Sequence, residues 1–277
     1  MESRLAALRA KIDALDLDIH RALIERASVV AELSEVKTVG EPGRVFKPGR
    51  EAEMMRRLAQ RHTGSVPLQA IEHIWREIIA TFTTLQAPFR VHVAQGDDPA
   101  VRELARYVFG FTPPLVSAGT AEQAISALSD DGNALALVPI VALSAVSWWD
   151  ALSPEGPCII ARVPAFPLPA HMTTATAFVV GVTAADETSN MRTVLSVVGA
   201  DEQTVRTSLI AKGGALLSRG PQSQSDAREM LVALPEEIVE DWTHALRETT
   251  PHVSARLVGH YAAPLNVSAS ATSIDAT

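Results

Sequence analysis

Cysteine is nearly absent from this sequence: among 277 residues only Cys158 carries a thiol, which excludes an intrachain disulfide framework. Cys158 lies in the apolar stretch GPCIIARV with no nearby histidine to activate it, so it reads as a buried small hydrophobe. Apolar runs long enough to cross a bilayer, roughly 20 residues, are also missing. The N-terminus MESRLAALRAKID is charged and amphipathic, without the apolar centre of a secretory signal, and the expected compartment is cytoplasmic. The eight histidines never fall in pairs at metal-ligand spacing, so no metal site is implied. There is no GxGxxG, no Walker loop and no GxSxG, and no cofactor or serine nucleophile is indicated. Long basic runs interleaved with aromatics do not occur, which argues against nucleic acid as a partner.

What is present is a chain of 47% apolar and 20% charged residues, enough for a real core. Its net charge of −8 is divided unevenly. Residues 1–90 hold 14 Lys and Arg against 12 Asp and Glu, leaving 10 against 20 for the remainder. A slightly basic front section precedes an acidic one.

The front section is helical. Leu5, Leu8, Ile12, Leu15, Ile19, Ala22 and Leu23 recur at steps of three and four, and no Gly or Pro interrupts before Gly40. One helix over residues 2 to about 39 would be on the order of 55 Å long. A small monomeric domain cannot cover such a stripe, so a partner helix from a second chain is expected. A second helix starts near Arg50 and runs to about His62. A third opens at Val66-Pro67 and stops at Pro88, its Ile71, Ile74, Trp75, Ile78, Ile79, Phe82 and Leu85 reading as core.

After Pro88 the period changes. FRVHVAQ, DDPAVRELARYVFG, PPLVSAGT, AEQAISALSDDG and NALALVPI give a β-α-β-α-β order, which predicts a small, mainly parallel sheet. Residues 141–172 form a Pro-rich passage holding Trp148-Trp149, followed by the strand TATAFVVGV. Residues 191–265 then alternate as β-α-β-β-α-β, the ferredoxin-like order. The tail NVSASATSIDAT is small and polar and is expected to be disordered. The expected architecture is multidomain, all-α followed by α/β: residues 1–88, 89–188 and 189–266, with a tail at 267–277.

A question of charge remains within the front section. Arg9, Arg26 and Lys37 lie along the first helix, Lys47 and Arg50 flank the break, Glu51 opens the second helix and Gln86 closes the third. Arg26 and Lys37 are 11 residues apart, about three turns, and so share a face. A single such arginine is usually a solvated side chain. Several cations, one carboxylate and one amide on helices that already need a partner suit a small dianion.

Four segments, LAALRAKIDALD ending at Asp16, LIERASVVAELSEVK (23–37), GREAEMMRRL (49–58) and WREIIATFTTLQ (75–86), resemble the all-α chorismate mutases of the type fused to prephenate dehydratase. The resemblance implies an intertwined homodimer with shared sites that rearranges chorismate to prephenate without a cofactor. It implies that Arg9 crosses into the partner's site and that Arg9 and Arg26 grip the two carboxylates. Lys37 and Gln86 would contact the ether oxygen, Glu51 the ring hydroxyl, with Arg50 in support. Two positions depart from the family: Lys47 stands where an aspartate is usual and Phe82 where a serine is usual. Lys47 would serve as an extra cation for a carboxylate.

The remainder resembles a reduced prephenate dehydratase followed by an ACT-like section, with ALLSRGP (215–221) near the place of a Glu-Ser-Arg-Pro motif. An aromatic amino acid is the effector that an ACT-like section would imply. After LVPI the chain continues Val141-Ala142-Leu143 in place of Glu-Asn-Ser, and Thr176-Ala177-Phe178 lacks the arginine of Thr-Arg-Phe. The expectation is a mutase that has lost dehydratase activity. The alternatives are a lapsed mutase acting as a ligand-sensing protein and a bifunctional mutase and dehydratase.

Overall fold

The computed structural model describes residues 2–37, 46–130, 132–141, 146–169, 172–182, 188–221 and 229–265, the side chains of 35–37 excepted. The expected tail at 267–277 and most of the Gly/Pro-rich break after Lys37 lie outside the described residues.

Three helices come first: α1 (Glu2–Lys37), α2 (Pro48–Arg61) and α3 (Leu68–Gln86). Pro48 takes the first position of α2, where its missing N–H costs nothing. α1 rests on α3 over part of its length. The rest of its apolar stripe is bare: Leu8, Ile12, Leu15 and Ile19 are 52, 57, 54 and 61% exposed. Within one chain, the stripe has no cover.

The strands β1 (Val91–Ala94), β2 (Leu115–Ala118), β3 (Leu135–Pro139), β4 (Cys158–Val163) and β5 (Ala177–Gly181) follow. Helices α4 (Pro99–Phe109) and α5 (Ala121–Ser126) connect the first three. Asp98 and Thr120 cap those helices by accepting from the backbone N–H of Ala100 and Gln123. The next section brings β6 (Met191–Val198), α6 (Glu202–Ala211), β7 (Ala215–Arg219), β8 (Met230–Pro235), α7 (Val239–Thr249) and β9 (Ser254–Ala262). Its order β9-β6-β8-β7, all antiparallel, is ferredoxin-like as the sequence suggests.

Two expectations need correction. The middle section is not a mainly parallel sheet: β1, β2 and β3 are parallel, but β5 runs antiparallel to both β3 and β4. β4 itself sits inside the stretch read as a Pro-rich passage. Its six residues, apolar but for Arg162, form a short run between Pro157 and Pro164, too brief to show a period.

The second correction concerns the separation of the two sheets. The described strands form one nine-stranded sheet, β2-β1-β3-β5-β4-β9-β6-β8-β7. The ferredoxin-like part joins the rest where β4 and β9 pair in parallel at Ile159 and Gly259. Gly259 has φ +145°, and a Cβ there would collide with the backbone O, N and Cα of Ile159. Glycine lets the two backbones meet.

Three apolar clusters hold the sheet. One face carries Trp148, Trp149, Phe178 and Tyr261, which span both halves. The opposite face is covered by α4 through Leu104, Tyr107 and Val108 in one half, and by α6 and α7 through Val205, Leu209, Trp242 and Leu246 in the other. Buried Phe166, just after β4, packs with Met55, Leu58 and Leu68 and docks the helices on the sheet. α3 also meets α4, where the His73 and Tyr107 rings stack with centres 5.2 Å apart.

Candidate active site

The C-terminal half of α1, the first turn of α2 and the last turns of α3 converge on a cavity of about 130 Å³. Its walls include Arg26, Lys47, Arg50, Glu51, Phe82 and Gln86. Five of the seven predicted site residues thus come together. Val30, Leu33, Met54 and Ile79 supply the apolar walls.

Arg26 enters from α1. Its guanidinium lies over the Phe82 ring, 4.3 Å from the ring centre. Burial, and then the neighbouring Arg50 charge, push the Arg26 pKa below its ordinary value. Its Nη1 is buried without a hydrogen-bond partner among the described residues. A buried donor that carries charge and lacks a partner favours an anion.

Glu51 sits in the first turn of α2, its backbone N–H bonded to the Lys47 carbonyl at 3.0 Å. A carboxylate is favoured at a helix N-terminus, yet here burial dominates. Burial raises the Glu51 carboxyl to about 7, against the opposing pull of Arg76. Arg76 Nη1 donates to Glu51 Oε2 at 2.9 Å. Gln86 holds its side-chain amide by donating Nε2–H to the Phe82 carbonyl at 3.3 Å.

Two predicted residues stand apart. Arg9 is exposed on α1 and does not line the cavity. Seventeen residues of helix separate it from Arg26, about 25 Å, so one chain cannot bring both to one ligand. Lys37 is the last residue of α1, and its side chain lies outside the described residues.

Sequence reading missed Arg76. The side chain is 6% exposed on the inner face of α3, where Leu68, Glu72, Arg76 and Ala80 follow at steps of four. A Glu and an Arg on the buried stripe of a helix are the signal that could have found it. Among the described residues there is no group of three or more His, Cys, Asp or Glu able to hold a metal.

In the ferredoxin-like section, Arg219 of the SRG segment is held by Glu202, with Nε and Nη2 at 2.7 and 2.6 Å from its two oxygens. Arg219, together with Arg206, pushes the Glu202 carboxyl down to about 2.

Residues 8–87 match the family described as chorismate mutase type II. The N-terminal helices therefore carry a mutase-type domain, and the matched segment holds every residue of the cavity. Over 94 residues the chain is 30% identical to the bifunctional chorismate mutase/prephenate dehydratase of Pseudomonas aeruginosa, which covers 32% of this chain and 26% of that protein. The protein of the same description from Aquifex aeolicus is 30% identical over 112 residues, 39% and 31% of the two chains. The chain thus spans about a quarter to a third of the length of these relatives. Among solved structures, prephenate dehydratase from Streptococcus mutans aligns with 63% of this chain and 98% of its own, at 13% identity and TM-score 0.45. Prephenate dehydratase from Arthrobacter aurescens in complex with L-Phe gives 66%, 94%, 12% and 0.42. No helix among the described residues is long and apolar enough to cross a membrane.

Proposed function

We propose that this chain is a chorismate mutase, converting chorismate to prephenate at the cavity between α1, α2 and α3. The observation that carries the reading is the convergence of Arg26, Lys47 and Arg50 on Glu51 and Gln86, with Arg26 Nη1 buried and unpartnered among the described residues. The reaction is a unimolecular rearrangement, so it calls for no nucleophile, metal or cofactor. What a protein adds is a compact pose and donors at the oxygen where negative charge grows.

Arg26 suits a carboxylate because its planar fork binds two oxygens. Glu51 accepts from the ring hydroxyl, and Gln86 with Lys37 donates to the ether oxygen of the breaking C–O bond. The second carboxylate meets Arg9 from another copy of the chain. Three facts favour that shared site: the bare apolar stripe on α1, the distance between Arg9 and Arg26, and a cavity smaller than the usual ligand pocket of roughly 300 Å³ or more. An obligate homodimer in the cytoplasm is the state inferred.

Loss of chorismate absorbance with purified protein tests the reading, and Lys37→Ala should lower kcat far more than it raises KM. Unchanged turnover in that variant sinks the assignment of Lys37. No turnover in the wild type favours the ligand-sensing alternative.

We further infer that dehydratase activity is lost. Ala177, where an arginine would be expected, is fully buried at the start of β5. Ile140 N–H donates to the Thr176 carbonyl at 3.0 Å, so the end of LVPI lies directly beside the start of the Thr176-Ala177-Phe178 segment. Phenylpyruvate formed from prephenate above the buffer blank would restore the bifunctional reading. Titrating Phe, Tyr and Trp into the mutase assay tests whether the ACT-like section takes an effector.

A further inference from the structure

Glu51 is a wall shared by two cavities. On one side is the candidate active site; on the other is a pocket of about 40 Å³ against β4 and the end of β9. Arg76 lines only the second of these. It therefore reaches the Glu51 carboxylate from behind, on the side away from any substrate.

The arginine is itself held in a buried chain of groups. Its Nη1 donates to Glu51 Oε2 at 2.9 Å, whereas its Nε faces Glu72 Oε1 across 3.6 Å, an ion pair longer than a hydrogen bond. Glu72 Oε2 accepts from the Tyr107 hydroxyl at 2.8 Å, and that hydroxyl also lies 3.2 Å from the Gln69 carbonyl. Tyr107 belongs to α4, so the chain runs from α2 through α3 into the α/β section. Arg76 commits its bond to Glu51 and meets Glu72 as a neighbouring charge.

We propose that Arg76 is the positioning residue of the candidate active site, holding Glu51 from behind so that its carboxylate meets a substrate hydroxyl as a fixed acceptor. The inference rests on the mutase reading. Two physical reasons support it. A charge-assisted acceptor is stronger and shorter than a neutral one, and a carboxyl buried as deeply as Glu51 stays charged near neutrality only beside a compensating cation. Among the charged groups that share a cavity with Glu51, Arg26, Lys47 and Arg50 face the substrate side and Arg56 and Arg162 the sheet side. Among the described residues, Arg76 is the one hydrogen-bonded to the carboxylate. Burial lifts the Glu51 carboxyl to about 7 even with that cation in place, so removing the cation moves it further up.

The test is the pH profile of kcat/KM for chorismate, together with the carboxyl titration of Glu51 followed by carbon-13 NMR and assigned with Glu51→Gln. Arg76→Gln should move the acid limb and the NMR titration upward by about one pH unit or more, lowering kcat/KM at neutral pH about fivefold. Arg76→Lys, which keeps a cation inside the fold, should leave both near the wild-type position. In a Glu51→Gln background, Arg76→Gln should cost nothing further, because the arginine acts through that carboxylate. The proposal is overturned if Arg76→Gln leaves both curves in place, if Arg76→Lys moves them upward, or if the two single losses simply add. A wild type without chorismate turnover would sink the mutase reading, while the NMR titration would still judge the role of Arg76.

Discussion

The Arg26 guanidinium carbon stands 4.3 Å from the centre of the Phe82 ring, a cation from α1 over an aromatic face of α3. Phe82 occupies the place where a serine is usual in the family that this section resembles. A serine would offer a hydroxyl to the ligand; the phenyl ring offers a surface that fixes the plane of the arginine fork. Cation and ring contacts of this kind are worth about 0.5–2 kcal/mol. Phe82→Leu keeps the apolar wall and removes the aromatic face, so it should raise KM for chorismate by roughly three- to tenfold with a smaller change in kcat. Steady-state kinetics with unchanged KM would show that Arg26 is held by something else.

The Glu51 carboxyl provides a stability measurement independent of turnover. Burial raises it from 4.5 to about 7, so between those values the folded chain keeps a proton that the unfolded chain has released. Stability from this group is therefore present below the unfolded value and is lost as pH rises through the folded one. Glu51→Gln cannot titrate. Across that window the variant should gain on the wild type by an amount on the order of 3 kcal/mol. Urea unfolding at several pH values checks this, and parallel stability curves would contradict it.

At the sheet junction, a Cβ on Gly259 would overlap the Ile159 backbone, with Ile159 Cα at 2.7 Å. Gly259→Ala must therefore push β9 away from β4 as well as strain a backbone at φ +145°. The loss should be about 3 kcal/mol or more, larger than for alanine at an open glycine. Gly64, whose added Cβ would meet nothing, is the control for space alone. Thermal unfolding of the two variants decides the matter.

The bare stripe of α1 predicts association. Ile12 is 57% exposed in the middle of that helix. Ile12→Glu places a charge in the seam that a second copy would bury, which is costly unless the charge is paired. Sedimentation should show monomers, and mutase turnover should fall by about 100-fold as the second chain's Arg9 is withdrawn. Dimers with full activity would argue against a shared site.

Most of the element order could be read from the sequence because each element carries a local signal. The three-and-four spacing of Leu8, Ile12, Leu15 and Ile19 marks α1, and the break at Pro48 starts α2. The alternation of turns and apolar runs after Met191 marks the β-α-β-β-α-β section. β4 escaped because Cys158–Val163 is short, apolar but for Arg162 and fenced by prolines, a pattern without a clear period. Arg76 escaped for a different reason: an arginine on a helix is read as solvated until its neighbours in space are known.

By itself the sequence determined most of the helices and strands, the charge that gathers near residue 50, and a candidate set of Arg9, Arg26, Lys37, Lys47, Arg50, Glu51 and Gln86, of which the cavity gathers five. These follow from periodicity, turn chemistry and motif order, which are properties of neighbours along the chain. Only the tertiary structure decided that two sheets join through Gly259, that Phe82 lies beneath Arg26, and that Arg76 stands behind Glu51. Each of those depends on two segments far apart in sequence meeting within a few ångströms, and on burial that turns an ordinary carboxyl into one poised near neutrality. Local patterns specify which elements form, while packing fixes which charges share a desolvated space.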